Sequence, residues 1–91
     1  MTRPYFAYAL KSVDHDWIYA GITDNLERRL SQHNHGANHS TKHYAPFFLF
    51  YSELFDTRTE ARHREKYFKS AAGKRFLRKK LHEFLNNPDN L

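Results

Sequence analysis

Tyr5-Phe6-Ala7-Tyr8-Ala9-Leu10-Lys11 and Trp17-Ile18-Tyr19-Ala20-Gly21-Ile22-Thr23, joined by Ser12-Val13-Asp14-His15-Asp16, decide how this chain folds. Two runs rich in aromatic and small apolar residues flank a segment of turn formers, which is the pattern of a β-hairpin. With the turn centred on Asp14-His15, Tyr8 faces Gly21 and Leu10 faces Tyr19. Tyr8 and Tyr19 then lie diagonally on one face of the sheet, roughly 7–8 Å apart by backbone geometry. An odd-length turn would undo this register.

Working outward, Thr23-Asp24-Asn25 carries side chains suited to capping a helix, and Leu26 and Leu30 follow at helical spacing until Asn34-His35-Gly36 ends it. Arg29 and His33 stand four apart on one face, so they are expected at the edge of the Leu26/Leu30 stripe, near the sheet. A polar loop runs from Ala37 to Pro46. Phe47 to Phe55 is strongly apolar and reads as a third, well-buried strand. Thr57-Arg58-Thr59-Glu60 has the form of a capping box opening a second helix to about Ser70. A third helix is expected from about Gly73 to Asn86, with Phe76, Leu77, Leu81, Phe84 and Leu85 on one face. The fold class is therefore α/β: a small three-stranded, mainly antiparallel sheet flanked by helices in the order ββαβαα. Residues 1–86 read as one domain, and residues 87–91 as a short flexible tail.

The totals bound what such a domain does. Ninety-one residues suit a single domain with a thin core, and eight Phe, six Tyr and one Trp supply that core despite 27% charged residues. With no Cys there is neither a disulfide framework nor a thiolate zinc site. No stretch approaches the roughly 20 apolar residues that span a bilayer, so a soluble, cytoplasmic protein without a membrane role is expected. The net charge of +5 and the isoelectric point near 9.6 favour a polyanionic partner or, equally, an ordinary solvated basic surface.

Glu65 is the most informative single residue. Ala61 is four before it and Phe68 three after, which puts a carboxylate on an apolar helix face. An ionised group there is costly unless it is paired or holds a cation. Arg62, Arg64 or an arginine of the first helix would satisfy it as a structural ion pair. Tyr8 and Tyr19 alone are ordinary packing residues, but near their shared face Arg29 and His33 are placed to converge. Arg29 is suited to clamping a phosphate and His33 to donating a hydrogen bond or shuttling a proton; on an exposed helix both would be unremarkable. His33, His35, His39 and His43 invite a zinc reading, yet Gly36 and Ser40 argue against the helix that would bring His39 and His43 together. Lys42 belongs to this basic loop. Lys69, Lys74, Arg75, Arg78 and Lys79 surround the third helix and serve either as a solvated face or as contacts to a nucleic-acid backbone.

The order Phe6-Ala7-Tyr8, Tyr19-Ala20-Gly21, Thr23-x-Asn25-Leu26-x-x-Arg29-Leu30-x-x-His33 resembles the GIY-YIG nuclease family. Glu60-Ala61-x-x-Arg64-Glu65-Lys66-x-x-Lys69, followed by Gly73-Lys74-Arg75-x-Leu77, is similar to the small bacterial excinuclease-like, URI-domain members. The likeness covers roughly residues 4–82. It implies hydrolysis of DNA phosphodiesters with one divalent ion, Mg²⁺ or Mn²⁺. It implies Glu65 as the metal ligand, Tyr8 and Tyr19 as the motif tyrosines, one of which helps deprotonate water, and Arg29 as the phosphate clamp. His33 matches a histidine of some branches. Phe6, Ala7 and Ala20 depart from the motif residues, and Phe47 or Phe48 is expected to refill the lost core volume. The implied activity is a DNA endonuclease of weak sequence preference. The competing reading is a DNA- or RNA-binding module with little turnover, and a third is an interaction domain without nucleic acid.

Overall fold

The computed structural model describes residues 3–87; the tail expected at 87–91 lies, apart from Asn87, outside the described residues. Strand β1 (Tyr5–Ser12) pairs antiparallel with β2 (Ile18–Thr23) in the expected register, Tyr8 opposite Gly21 and Leu10 opposite Tyr19. Strand β3 (Phe47–Phe55) pairs antiparallel with the other side of β1, so the sheet order is β2-β1-β3 and every pairing is antiparallel. Helix α1 (Leu26–Asn34) follows β2, while α2 (Arg58–Phe68) and α3 (Ala71–Leu85) follow β3, with a short 3-10 turn at Lys42–Tyr44. This is the α/β, ββαβαα arrangement anticipated from the sequence.

Side-chain alternation divides the sheet into two packed faces. Ala7, Ala9 and Ala20 point with Phe50 towards Phe68, Leu77 and Leu81 of α2 and α3. Tyr8, Leu10 and Phe47 point the other way, against Trp17, Tyr19, Leu26, Leu30 and Tyr44. A bulge between Ala9 and Leu10 skips Phe50 in the pairing, which lets both Phe50 and Tyr51 face the α2–α3 side. The three small alanines are filled in from that side by Phe50 and Phe68, with Phe48 packed beside them. Phe47 does not share in this, because it lies on the opposite face.

Four sequence expectations are corrected. β3 is not well buried throughout: as an edge strand it buries only Phe47 and Phe50 fully. Helix α2 ends at Phe68, and α3 begins at Ala71 rather than Gly73, because the Ser70 hydroxyl caps it by accepting from Gly73 N at 3.1 Å. Gly73 sits inside the first turn, where an added Cβ would lie 1.7 Å from the Tyr67 carbonyl oxygen, so the α2–α3 corner needs a residue without one. Leu85 is 58% exposed at the helix end, leaving Leu77 and Leu81 as the fully buried anchors of α3. Finally, the buried residue of α1 is His33, whereas Leu26 and Leu30 are only half-buried.

Candidate active site

The hairpin register puts the Tyr8 ring across Gly21 of the neighbouring strand. A Cβ at position 21 would meet the Tyr8 hydroxyl oxygen at 2.7 Å and Tyr19 Cε2 at 3.0 Å, so glycine is what permits both phenols to share this face. Their ring centroids are 6.3 Å apart. Helix α1 completes the group. Its start is fixed by Asn25 Oδ1, which accepts from Arg28 N at 3.0 Å, and by Asp24, which pairs with Arg3 and Arg28. Eight residues past the cap the helix delivers His33 to Tyr8, with Nε2 3.1 Å from the phenol oxygen and the imidazole 4.8 Å from the Tyr19 ring.

His33 is held from behind by a residue that the sequence reading passed over as part of a polar loop. Thr41 Oγ1 lies 2.9 Å from His33 Nδ1 and 3.3 Å from the Asn38 carbonyl. A carbonyl only accepts, so the Thr41 proton goes to Asn38 and its oxygen accepts from Nδ1–H. Nε2 is then the free lone pair, and the Tyr8 hydroxyl donates to it. Both His33 and Thr41 are fully buried. The available signal for Thr41 was weak, since a threonine eight residues beyond a helical histidine has no periodic relation to it. Asn34, the last residue of α1, ties the helix end to β3, accepting from Phe47 N at 2.6 Å and donating to Phe47 O at 3.2 Å.

The electrostatics follow from this packing. Burial, with Tyr19 and Glu65 adding to it, raises the Tyr8 phenol to about 12 although Arg29 pulls it down. Burial, then the neighbouring Arg29 charge, lowers His33 to about 4. Partial burial opposes the Arg29 charge, but the oxygens of Tyr8 and Tyr19 outweigh it and hold the guanidinium above its ordinary value. The Arg29 charge therefore acts on both Tyr8 and His33, and these two rest neutral.

Glu65 stands on the sheet-facing side of α2 close enough for its charge to act on Tyr8. Its carboxylate pairs with Lys69 at 3.3 Å and Arg62 at 3.8 Å, both more than half exposed, while Glu65 itself is 14% exposed. Arg64, one of its anticipated partners, instead forks onto Glu53 at 2.8 and 3.1 Å and lies over the rings of Tyr67, Phe68 and Phe76. Among the described residues no group of three His, Cys, Asp or Glu side chains is arranged to hold a metal. A single carboxylate suits a hard ion such as Mg²⁺, which keeps several waters and takes its remaining oxygens from a bound phosphate.

A cavity of about 430 Å³ opens beside Tyr19 along the outer edge of β2. Trp17, Ile18, Tyr19 and Ala20 form one wall and Phe68 and Leu77 the other. Lys69, Lys74 and Arg78 line it as well, whereas Arg75 and Lys79 are exposed on α3 and do not. Lys42 is exposed at the start of the 3-10 turn, on the loop that holds His33. The six basic residues singled out in the sequence thus divide into three at the cavity and three elsewhere.

A glycine-permitted pair of strand tyrosines, an arginine and a histidine on the following helix, and a glutamate from the opposite side of the sheet define one class of protein. The family model described as the GIY-YIG catalytic domain matches residues 4–80, and the chain belongs to the GIY-YIG family. Within it, the chain is similar to proteins named UPF0213. The UPF0213 protein YazA of Bacillus subtilis is 39% identical over 75 residues, which is 81% of this chain and 75% of that protein. A UPF0213 protein of Bacillus licheniformis is 37% identical over 86 residues, 90% of this chain and 88% of that one. The solution NMR structure of a UPF0213 protein from Bacillus halodurans shares the fold, with a TM-score of 0.52 at 24% identity over 96% of this chain and 90% of that chain. No helix among the described residues is long and apolar enough to cross a membrane.

Proposed function

We propose that this protein is a divalent-metal-dependent endonuclease that hydrolyses DNA phosphodiester bonds with weak sequence preference. The observation that carries the reading is the convergence of Tyr8, Tyr19, Arg29 and His33 on one side of the hairpin, within electrostatic reach of Glu65. Membership of a catalytic-domain family supports it.

Glu65 would hold the Mg²⁺ or Mn²⁺ ion, its present partners being exposed cations whose surface pairing is worth at most about 1 kcal/mol. The ion, when bound, supplies Lewis-acid stabilisation of charge on the phosphoryl oxygens. Arg29 adds fixed positive charge where negative charge grows on the phosphate, and it already lowers the cost of a phenolate on Tyr8. Tyr19 lines the open cavity and is the phenol positioned to take the proton of an attacking water. Tyr8 is buried and hydrogen-bonded to His33, so it orients the pair and links it to the loop through Thr41. Lys69, Lys74 and Arg78 contact the backbone, and phosphate contacts carry no base information, hence the weak preference. A cytoplasmic location fits a DNA substrate.

The test is an end-labelled oligonucleotide incubated with purified protein and Mg²⁺, Mn²⁺ or EDTA. Cutting in either metal and none in EDTA is the expected result. Salt-sensitive binding with no cutting in any condition overturns the enzymatic reading and leaves a nucleic-acid-binding module.

A further inference from the structure

We propose that the cavity beside Tyr19 is a nucleobase site that takes one unstacked base of the strand being cut. The inference rests on the nucleic-acid reading above and extends it from the phosphate to the base next to it. Two properties of the cavity matter together. Its walls are aromatic and aliphatic: half-buried Trp17, Tyr19 and Ile18 offer ring and apolar surface, and the buried core residues Ala20, Phe68 and Leu77 lie behind them. Three cations, Lys69, Lys74 and Arg78, line the same space. An apolar ligand would leave the cations without a role, and a bare polyphosphate would leave the rings without one. A flat, π-faced group attached to a phosphate satisfies both, and that is the chemistry of a nucleotide.

Size and place agree. About 430 Å³ falls in the range of sites that enclose a small ligand. The cavity runs along the free edge of β2, so it is open to a strand passing beside the sheet. Tyr19 belongs both to this wall and to the tyrosine pair, so a base seated here brings its own phosphate to the reacting groups. Two of the three cations sit in pairs open to solvent at the basic end: Arg78 with Asp16 at 2.6 Å, Asp16 being 84% exposed, and Lys69 with Glu65 at 3.3 Å. A phosphate exchanges readily for such partners. A base inside a duplex is stacked on both faces and does not enter, so the site selects an unpaired or frayed nucleotide.

Trp17 is the sole tryptophan of the chain, which makes its emission a direct reporter of the cavity. The wild-type protein is titrated in EDTA, where nothing is cut, with four probes. These are a short thymine oligonucleotide, an abasic oligonucleotide of equal length, a blunt duplex and inorganic polyphosphate. The thymine strand is expected to quench Trp17 and to bind on the order of tenfold more tightly than the abasic strand. The abasic strand, duplex and polyphosphate are expected to bind through charge without quenching. Lys74→Glu, at an exposed position, is expected to weaken the thymine strand by about tenfold while leaving the protein folded. Equal quenching and equal affinity for the abasic strand or the duplex overturns the base site, as does unchanged Trp17 emission with every probe. Cutting without base-dependent quenching would remove this site and leave the nuclease; quenching without cutting would do the reverse.

Discussion

Replacing Thr41 by Val keeps its shape and deletes one hydroxyl, the one that accepts from His33 Nδ1 at 2.9 Å and donates to Asn38 O at 3.3 Å. His33 and Thr41 are both fully buried, so bulk water does not take the lost partner's place. A buried donor left without an acceptor costs about 1–3 kcal/mol. If Nδ1 gives up its proton to avoid that cost, Nε2 must carry it, and the Tyr8 hydroxyl loses its acceptor instead. Either way the change is about 2 kcal/mol, which for a domain of this size lowers Tm by roughly 8–16 °C. Thr41→Ser retains the hydroxyl and loses a methyl group worth about 1 kcal/mol, so its Tm falls about half as far. Thermal unfolding followed by circular dichroism reads both values, and the ¹⁵N shifts of the His33 ring read the tautomer. A Val variant within about 2 °C of wild type, or a Ser variant that falls as far as Val, would refute the hydrogen-bond assignment.

Four further outcomes are expected. Burial and the Arg29 charge depress His33 from 6.5 to about 4, so below pH 6.5 the unfolded chain takes up a proton that the folded one refuses. Stability is complete above that value and lost as pH falls towards 4, by about 3 kcal/mol, and a flat profile in urea unfolding across this window would contradict it. Tyr8, raised to about 12 by burial first, gives the opposite edge, with stability falling as pH rises from 10 towards 12. Gly21→Ala drives a methyl group to 2.7 Å from the Tyr8 hydroxyl, which is expected to cost about 1–3 kcal/mol in chemical denaturation and to cut cleavage at least tenfold. Wild-type behaviour in both assays would mean the phenols are not held as described. Tyr19→Phe is expected to lower the single-turnover rate by about 10²-fold with little change in Tm, whereas Tyr8→Phe lowers Tm as well because it orphans His33 Nε2. The reverse pattern would exchange the roles given to the two residues.

Much of this was legible because it rests on strict periods. The two-residue alternation and the turn at Asp14-His15 set the hairpin register, and with it the placement of Tyr8 over Gly21. Caps announced themselves at Asn25 and Thr57, since their side chains close the first turns at Arg28 N and Glu60 N. Long-range competition was not legible. Whether Glu65 or Glu53 takes the Arg64 fork depends on how α2 lies against β3, and Glu53 takes it. Edge or centre is likewise a property of sheet order, so the apolar run of β3 looked more buried than it is. His33 was placed at the rim of α1 from helical spacing alone, and the loop that closes over it through Thr41 has no period to read. The basic residues were evenly plausible in sequence; only the α2–α3 corner sorts Lys69, Lys74 and Arg78 to the cavity.

Side-by-side cleavage by wild type and Glu65→Gln bears most directly on the claim that this fold is a working nuclease. Glutamine keeps the size of the side chain and removes its charge, and the two ion pairs lost with it are exposed at their basic ends. The protein should therefore remain folded by circular dichroism. The account predicts Mg²⁺- or Mn²⁺-dependent cutting by wild type and a loss of at least about 10²-fold in the variant. Equal cutting by the two folded proteins would contradict it and move the metal site away from Glu65.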